Sequence, residues 1–175
     1  MNETKENTEM STNPNNNPYG GIGDASGEGR FPFFSEKGRY VVVITGWHSR
    51  VTRAHGPADF TDFKVLKVLS GGEGVDPGTH RTRMRTFKGD SAGPALEEVK
   101  QRALVAYAAA GLPMKPADIT GEVMVKITEN DGGLLKGHPF VMDIGDKVKT
   151  KSGKEFSPAN YFVATARELE GVDVG

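Results

Sequence analysis

The chain predicts a mainly β fold, a five-stranded barrel with one α-helix between its third and fourth strands. Three observations carry that prediction. β-branched and aromatic runs are set apart by Gly- and Pro-rich turns. One amphipathic stretch is bracketed by Pro94 and Gly111. The order is three strands, the helix, then two strands. At 175 residues the chain suits one domain with a proper core and is short for two.

Residues 1–30 are rich in Asn, Thr, Glu and Gly and nearly devoid of apolar side chains, so they predict a disordered N-terminal arm. The folded body is predicted over 31–165, followed by a short acidic tail, 166–175. Net charge is −1 overall, but its distribution is uneven. The arm carries −3 and the tail −2, whereas the body holds nineteen basic against fifteen acidic residues, a net +4. A mildly basic body between acidic ends keeps a polyanionic partner in play. With no cysteine, disulfide frameworks and thiolate zinc sites are excluded. The start, MNETKENTEM, has no basic segment followed by an apolar one, and no run approaches the ~18 apolar residues that span a bilayer. These features predict a cytoplasmic protein with no membrane partner.

The first strand begins near Gly38 and extends to Val51, β-branched and long, with Gly46 marking a bulge or bend. His55 to Asp59 forms a loop, and the second strand runs from Phe60 to Leu69. The turn residues of Ser70–Gly74 and Asp76-Pro77-Gly78 close it. The third strand is His80 to Phe87. Pro94 then suits the first position of a helix, apolar residues recur at Leu96, Val99, Ala103, Ala106, Tyr107 and Ala110, and Gly111 with Pro113 ends it. Glu122 to Thr128 alternates, with Val123, Val125 and Ile127 on one side, and predicts the fourth strand. The fifth spans about Pro139 to Lys149. A lysine-rich hairpin follows, then a last apolar run, Tyr161 to Ala164.

The third strand carries the strongest functional signal. Strand side chains alternate faces, so Arg81, Arg83, Arg85 and Phe87 share one side, each roughly 6.6 Å from the next. That step is close to the phosphate spacing of an extended single strand. Lys147, Lys149, Lys151 and Lys154 form a second basic cluster, and Trp47 is positioned as a stacking surface beyond the bend. Basic grooves with aromatic platforms bind single strands without sequence preference. The plainer alternatives stand beside this. The arginines could mark a solvated sheet face paired with acids such as Glu73 or Asp62, Trp47 and Phe87 could be core, and the lysines could protect an exposed edge.

Strand order and the long bent first strand suit an OB-like barrel. Gly38 to Ile44, Ala108 to Gly111, Leu135-Lys136-Gly137 and Lys149 to Lys154 resemble bacteriophage and prophage OB-fold single-stranded DNA-binding proteins, over roughly residues 36–165. The resemblance implies a role in phage DNA replication or recombination, with DNA held across strands two and three and the adjoining loops. It also implies replication or recombination proteins as partners. Many such proteins end in a strongly acidic partner-recruiting tail; here residues 168–175 are only weakly acidic.

Catalytic chemistry finds little support. Gly89-Asp90-Ser91-Ala92-Gly93 fits the G-x-S-x-G elbow between strand and helix, but it follows an arginine-bearing strand. His138 is the one later histidine for a triad, and the chain is too short for two barrels. A turn with Ser91 or Gly93 capping the helix explains the glycines. His48, His55, His80 and His138 show no metal-ligand spacing, and Ser70–Gly74 lacks the Lys-Ser or Lys-Thr of a phosphate loop. Glu97-Glu98 is read as negative charge favouring the helix N-terminus.

The chain is therefore expected to be a non-enzyme without cofactor or metal. It should bind single-stranded DNA with low sequence specificity through Trp47, Arg81, Arg83, Arg85, Phe87, Lys149, Lys151 and Lys154, as one copy or as a homo-oligomer. The alternatives are a structural or assembly protein of a phage-like particle and a serine hydrolase using Ser91.

Overall fold

In the computed structural model the described residues are 30–89, 92–151 and 153–173. The predicted disordered arm lies outside them apart from Arg30, and so does Ser91. Strands β1 (Gly38–Thr52) and β2 (Gly56–Gly71) make a long antiparallel hairpin. β3 (His80–Thr86) follows, then α1 (Ala92–Ala109) and α2 (Gly121–Glu129). β4 (Phe140–Ile144), a two-stranded hairpin of β5 (Val148–Lys149) with β6 (Glu155–Phe156), and β7 (Ala159–Phe162) complete the chain.

The main sheet has five antiparallel strands in the order β3-β2-β1-β4-β7 and is open, not a closed barrel. The β1–β2 ladder slips in register between Ile44 and Gly46, so the predicted bulge is present. A side chain at Gly46 would come within 3.0 Å of the carboxylates of Asp62 and Asp131, which is why glycine occupies that bend. Beside the outer edge of β3, the Thr82 N–H donates to the Pro32 carbonyl and the Phe34 N–H to the Thr82 carbonyl. This partly covers an edge that would otherwise present unpaired backbone.

Three expectations are corrected. The fourth predicted strand, Glu122 to Thr128, is α2. Its start is set by Thr120, whose hydroxyl accepts the Val123 N–H, with Glu122 in the first turn and Lys126 in the last. Val123, Met124 and Ile127 then meet the core at helical spacing, while Val125 is left exposed. There are accordingly two helices between β3 and β4. The place of the missing strand is taken by the last apolar run, β7, which pairs with β4, and the predicted fifth strand divides into β4 and the short β5.

The core lies between one sheet face and the helices. Tyr40, Val42, Ile44, Phe63, Val65, Phe140, Met142 and Tyr161 come from the sheet, and Val99, Ala103, Ala106, Ile127 and Leu135 from the helical side. The tail residues fold back on the body. Glu168 pairs with Arg39 at 3.2 Å, and the Lys67 ammonium donates to the carbonyls of Glu168 and Glu170.

Candidate functional site

β3 does set its arginines on one side, but that side faces inward. Arg81, Arg83 and Arg85 lie opposite Phe63, Thr61 and Asp59 of β2, whose Phe63 is a core residue. Alternation fixes which residues share a face; it does not say which face is covered. Here α1 covers it. The helix buries Ala95, Glu98, Val99, Arg102, Ala103 and Ala106, so an ion pair at i,i+4 sits inside its apolar stripe.

Glu98 is the hub. Its carboxylate accepts from Arg83 Nε at 2.5 Å and Nη2 at 2.8 Å, from Arg102 Nη2 at 2.7 Å, and from the Tyr161 hydroxyl at 2.9 Å. Burial alone would push the Glu98 carboxyl up, but the Arg83 hydrogen bonds and the charges of Arg83, Arg102 and Arg85 hold it at about 2. Arg102, wholly buried, also donates to Asp59 at 2.9 Å, Thr61 at 2.6 Å and Tyr161 at 3.0 Å, and lies against the rings of Trp47, Phe63 and Tyr161. Burial raises the Asp59 carboxyl, opposed by Arg102 and by the Trp47 and Thr61 hydrogen bonds.

The predicted binding wall is thus corrected. Arg83 and Arg85 are buried beneath α1, and Arg81 is bonded to Glu36 at 2.9 Å. Trp47 is fully buried, with its indole N–H on Asp59, so it is core and offers no stacking surface. Phe87 is half-buried against the core. Lys149, Lys151 and Lys154 stand exposed on the β5–β6 hairpin, with no ion pair among the described residues. The structure does not bring these two predicted clusters together into one open surface.

The opposite sheet face carries a set that sequence reading missed. His48 stacks on Phe60 with centroids 5.1 Å apart and planes 8° from parallel, and the Arg50 guanidinium lies 5.0 Å over the same ring. Phe31 stacks on His80 at 4.7 Å, and Arg30 reaches Asp62 at 3.4 Å. Burial lowers the His48 pKa, favouring the neutral ring. The signal was available in the alternation of Phe60, Asp62 and Lys64 against Thr61, Phe63 and Val65. For Glu98, Arg102 and Asp59 it lay in charged residues falling on inward positions.

Among the described residues no group of three His, Asp or Glu side chains is placed to hold a metal, and no helix is long and apolar enough to cross a membrane. No protein-family model matches the chain, and comparison with curated proteins gives no match.

Proposed function

We propose that this chain is an OB-type module that binds single-stranded DNA with low sequence specificity, in phage-type DNA replication or recombination. Its contact surface is the outer face of β1–β3 together with the lysine hairpin, and Arg81 and Arg83 have a structural task. The observation that carries the reading is the outer face itself. Rings from three segments, Phe31, His48 and His80, lie partly open there beside the exposed cations Arg30, Arg50 and Lys64. Stacking platforms among cations are what sequence-tolerant strand binding requires, each stacked base contributing ~1–3 kcal/mol.

The sheet order supports the same reading. The order β3-β2-β1-β4-β7, with β3 and β7 at its unpaired ends, is compatible with a partly open OB barrel, a fold whose strand 2–3 face and flanking loops take oligonucleotides. The hairpin between β4 and β7 is the lysine hairpin, and Arg53 is exposed at the turn joining β1 to β2.

Fluorescence anisotropy with labelled oligo-dT tests the proposal. Binding that weakens with salt, and by roughly thirtyfold in a Phe31→Ala, His48→Ala double variant, is expected from two stacked bases at the low end of that range, about 2 kcal/mol in all. A native chain with no oligo-dT affinity at low salt overturns it.

A further inference from the structure

Arg85 differs from its neighbours. The guanidinia of Arg83 and Arg102 each donate several hydrogen bonds to carboxylates, carbonyls or hydroxyls. Arg85 is 8% exposed, yet its Nε has no hydrogen-bond partner, and its nearest carboxylate oxygen, on Glu98, is 3.5 Å away and already bonded to Arg83. Three guanidinia here face two carboxylates, Glu98 and Asp59, leaving one buried positive charge uncompensated. A buried, under-bonded cation is costly to hold, and such a group calls for a functional explanation. Burial, with Arg83 and Arg102 adding to it, also lowers the Arg85 pKa against the pull of Glu98.

Arg85 lies at the wall of a groove of about 730 Å³ between α1 and the segment leading into β7. The Phe156 ring lies 4.9 Å beneath its guanidinium, Leu104 and Pro158 add apolar surface, and Gln101 and Asn160 supply side-chain amides. Lys100 and Glu97 also line it with opposite charges, so Arg85 sets its sign. The volume is within the range of small-ligand sites and far exceeds what a bare inorganic anion needs.

We infer that this groove takes the phosphate monoester of a nucleotide, the phosphate on Arg85 and Lys100 and the nucleoside against Phe156 and the two amides. Free mononucleotide and the phosphorylated end of a DNA strand share that chemistry. The strand-end source rests on the strand-binding proposal above; the mononucleotide source does not.

Thermal-shift and calorimetric titration of the full chain with 5′-dTMP and with thymidine tests the inference, alongside anisotropy with 5′-phosphorylated and 5′-hydroxyl oligo-dT. We expect dTMP to bind and raise Tm while thymidine does not. Arg85→Met should weaken dTMP binding at least roughly tenfold, the lower value for a lost charge-assisted contact. The same variant should match or exceed the native Tm in the absence of ligand, because it removes an uncompensated buried charge. If it does not fold, Lys100→Gln, on the rim of the same groove, must weaken dTMP binding. A preference for the 5′-phosphorylated oligonucleotide assigns the strand end; dTMP binding without that preference assigns the free nucleotide. No dTMP binding by the native chain, or binding unaltered in the folded variants, overturns the inference. Oligo-dT affinity through the outer face would survive that result, and dTMP binding would survive a failure of oligo-dT to bind.

Discussion

Arg83 on β3 donates from Nη2 to the backbone carbonyl of Ser157, just before β7, at 2.6 Å. The two residues belong to opposite margins of the five-stranded sheet, which share no backbone ladder. Arg85 against Phe156, and Glu98 between Arg83 and Tyr161, make further contacts across the same gap. Arg83 and Glu98 therefore join the sheet's two margins through side chains, under the cover of α1.

That role sets a contrast within the row. Arg83→Ala leaves Glu98 buried with its strongest partner gone, and should cost about 3–5 kcal/mol in urea unfolding. Arg81→Ala removes a partly exposed pair with Glu36 and should cost at most ~1 kcal/mol. Equal effects from the two variants would contradict the inward placement of Arg83.

Trp47 offers an optical check. An indole with no exposed surface, bonded to Asp59 and covered by Arg102, should emit in the blue and resist acrylamide quenching in the native state. Oligonucleotide binding on the outer face should leave its intensity nearly unchanged, since no base can stack on it. Ready quenching by acrylamide without unfolding would show that the ring is open.

Much of this architecture is legible in the sequence because it depends on local pattern. The β1 and β2 runs, the Gly46 bulge, the α1 boundaries near Pro94 and Gly111, and the shared face of Arg81, Arg83 and Arg85 follow from alternation and turn chemistry. Two things are not local. Seven residues with Val123, Val125 and Ile127 alternating satisfy a strand template, and only the Thr120 cap and the Val123–Met124–Ile127 spacing favour the helix. Which side of β3 is covered depends on where α1 packs. The decisive residues, Glu98 and Arg102, read in isolation as ordinary helix charges.

Acid should find the Glu98 hub. Its carboxyl is held at about 2, below its ordinary value of 4.5, so the folded state loses protons more readily than the unfolded chain. The associated stability is complete above about pH 4.5 and is lost as pH falls towards 2, in all about 3 kcal/mol. Asp59 works in the opposite sense, because its raised pKa lets the folded state take up a proton first and offsets part of the loss. Urea midpoints of the native chain should fall between pH 5 and 2, and Glu98→Gln should flatten that slope while lowering stability at neutral pH. A native chain equally stable at pH 5 and pH 2.5 would contradict this assignment.

The lysine hairpin can be separated from the outer face by salt alone. Lys149, Lys151 and Lys154 are exposed and without an ion pair among the described residues, so removing them leaves no buried group unsatisfied and should change stability little. If each meets a phosphate, the triple alanine variant releases three fewer counterions on binding single-stranded DNA. The slope of log affinity against log salt should then become shallower by about 2, at roughly 0.7 for each contact. Stacking on Phe31 and His48 carries little salt dependence, so their alanine variants should shift the line without tilting it. Anisotropy titrations of oligo-dT across a salt series measure both quantities. An unchanged slope in the lysine variant would remove the hairpin from the contact surface and leave the outer face to account for binding.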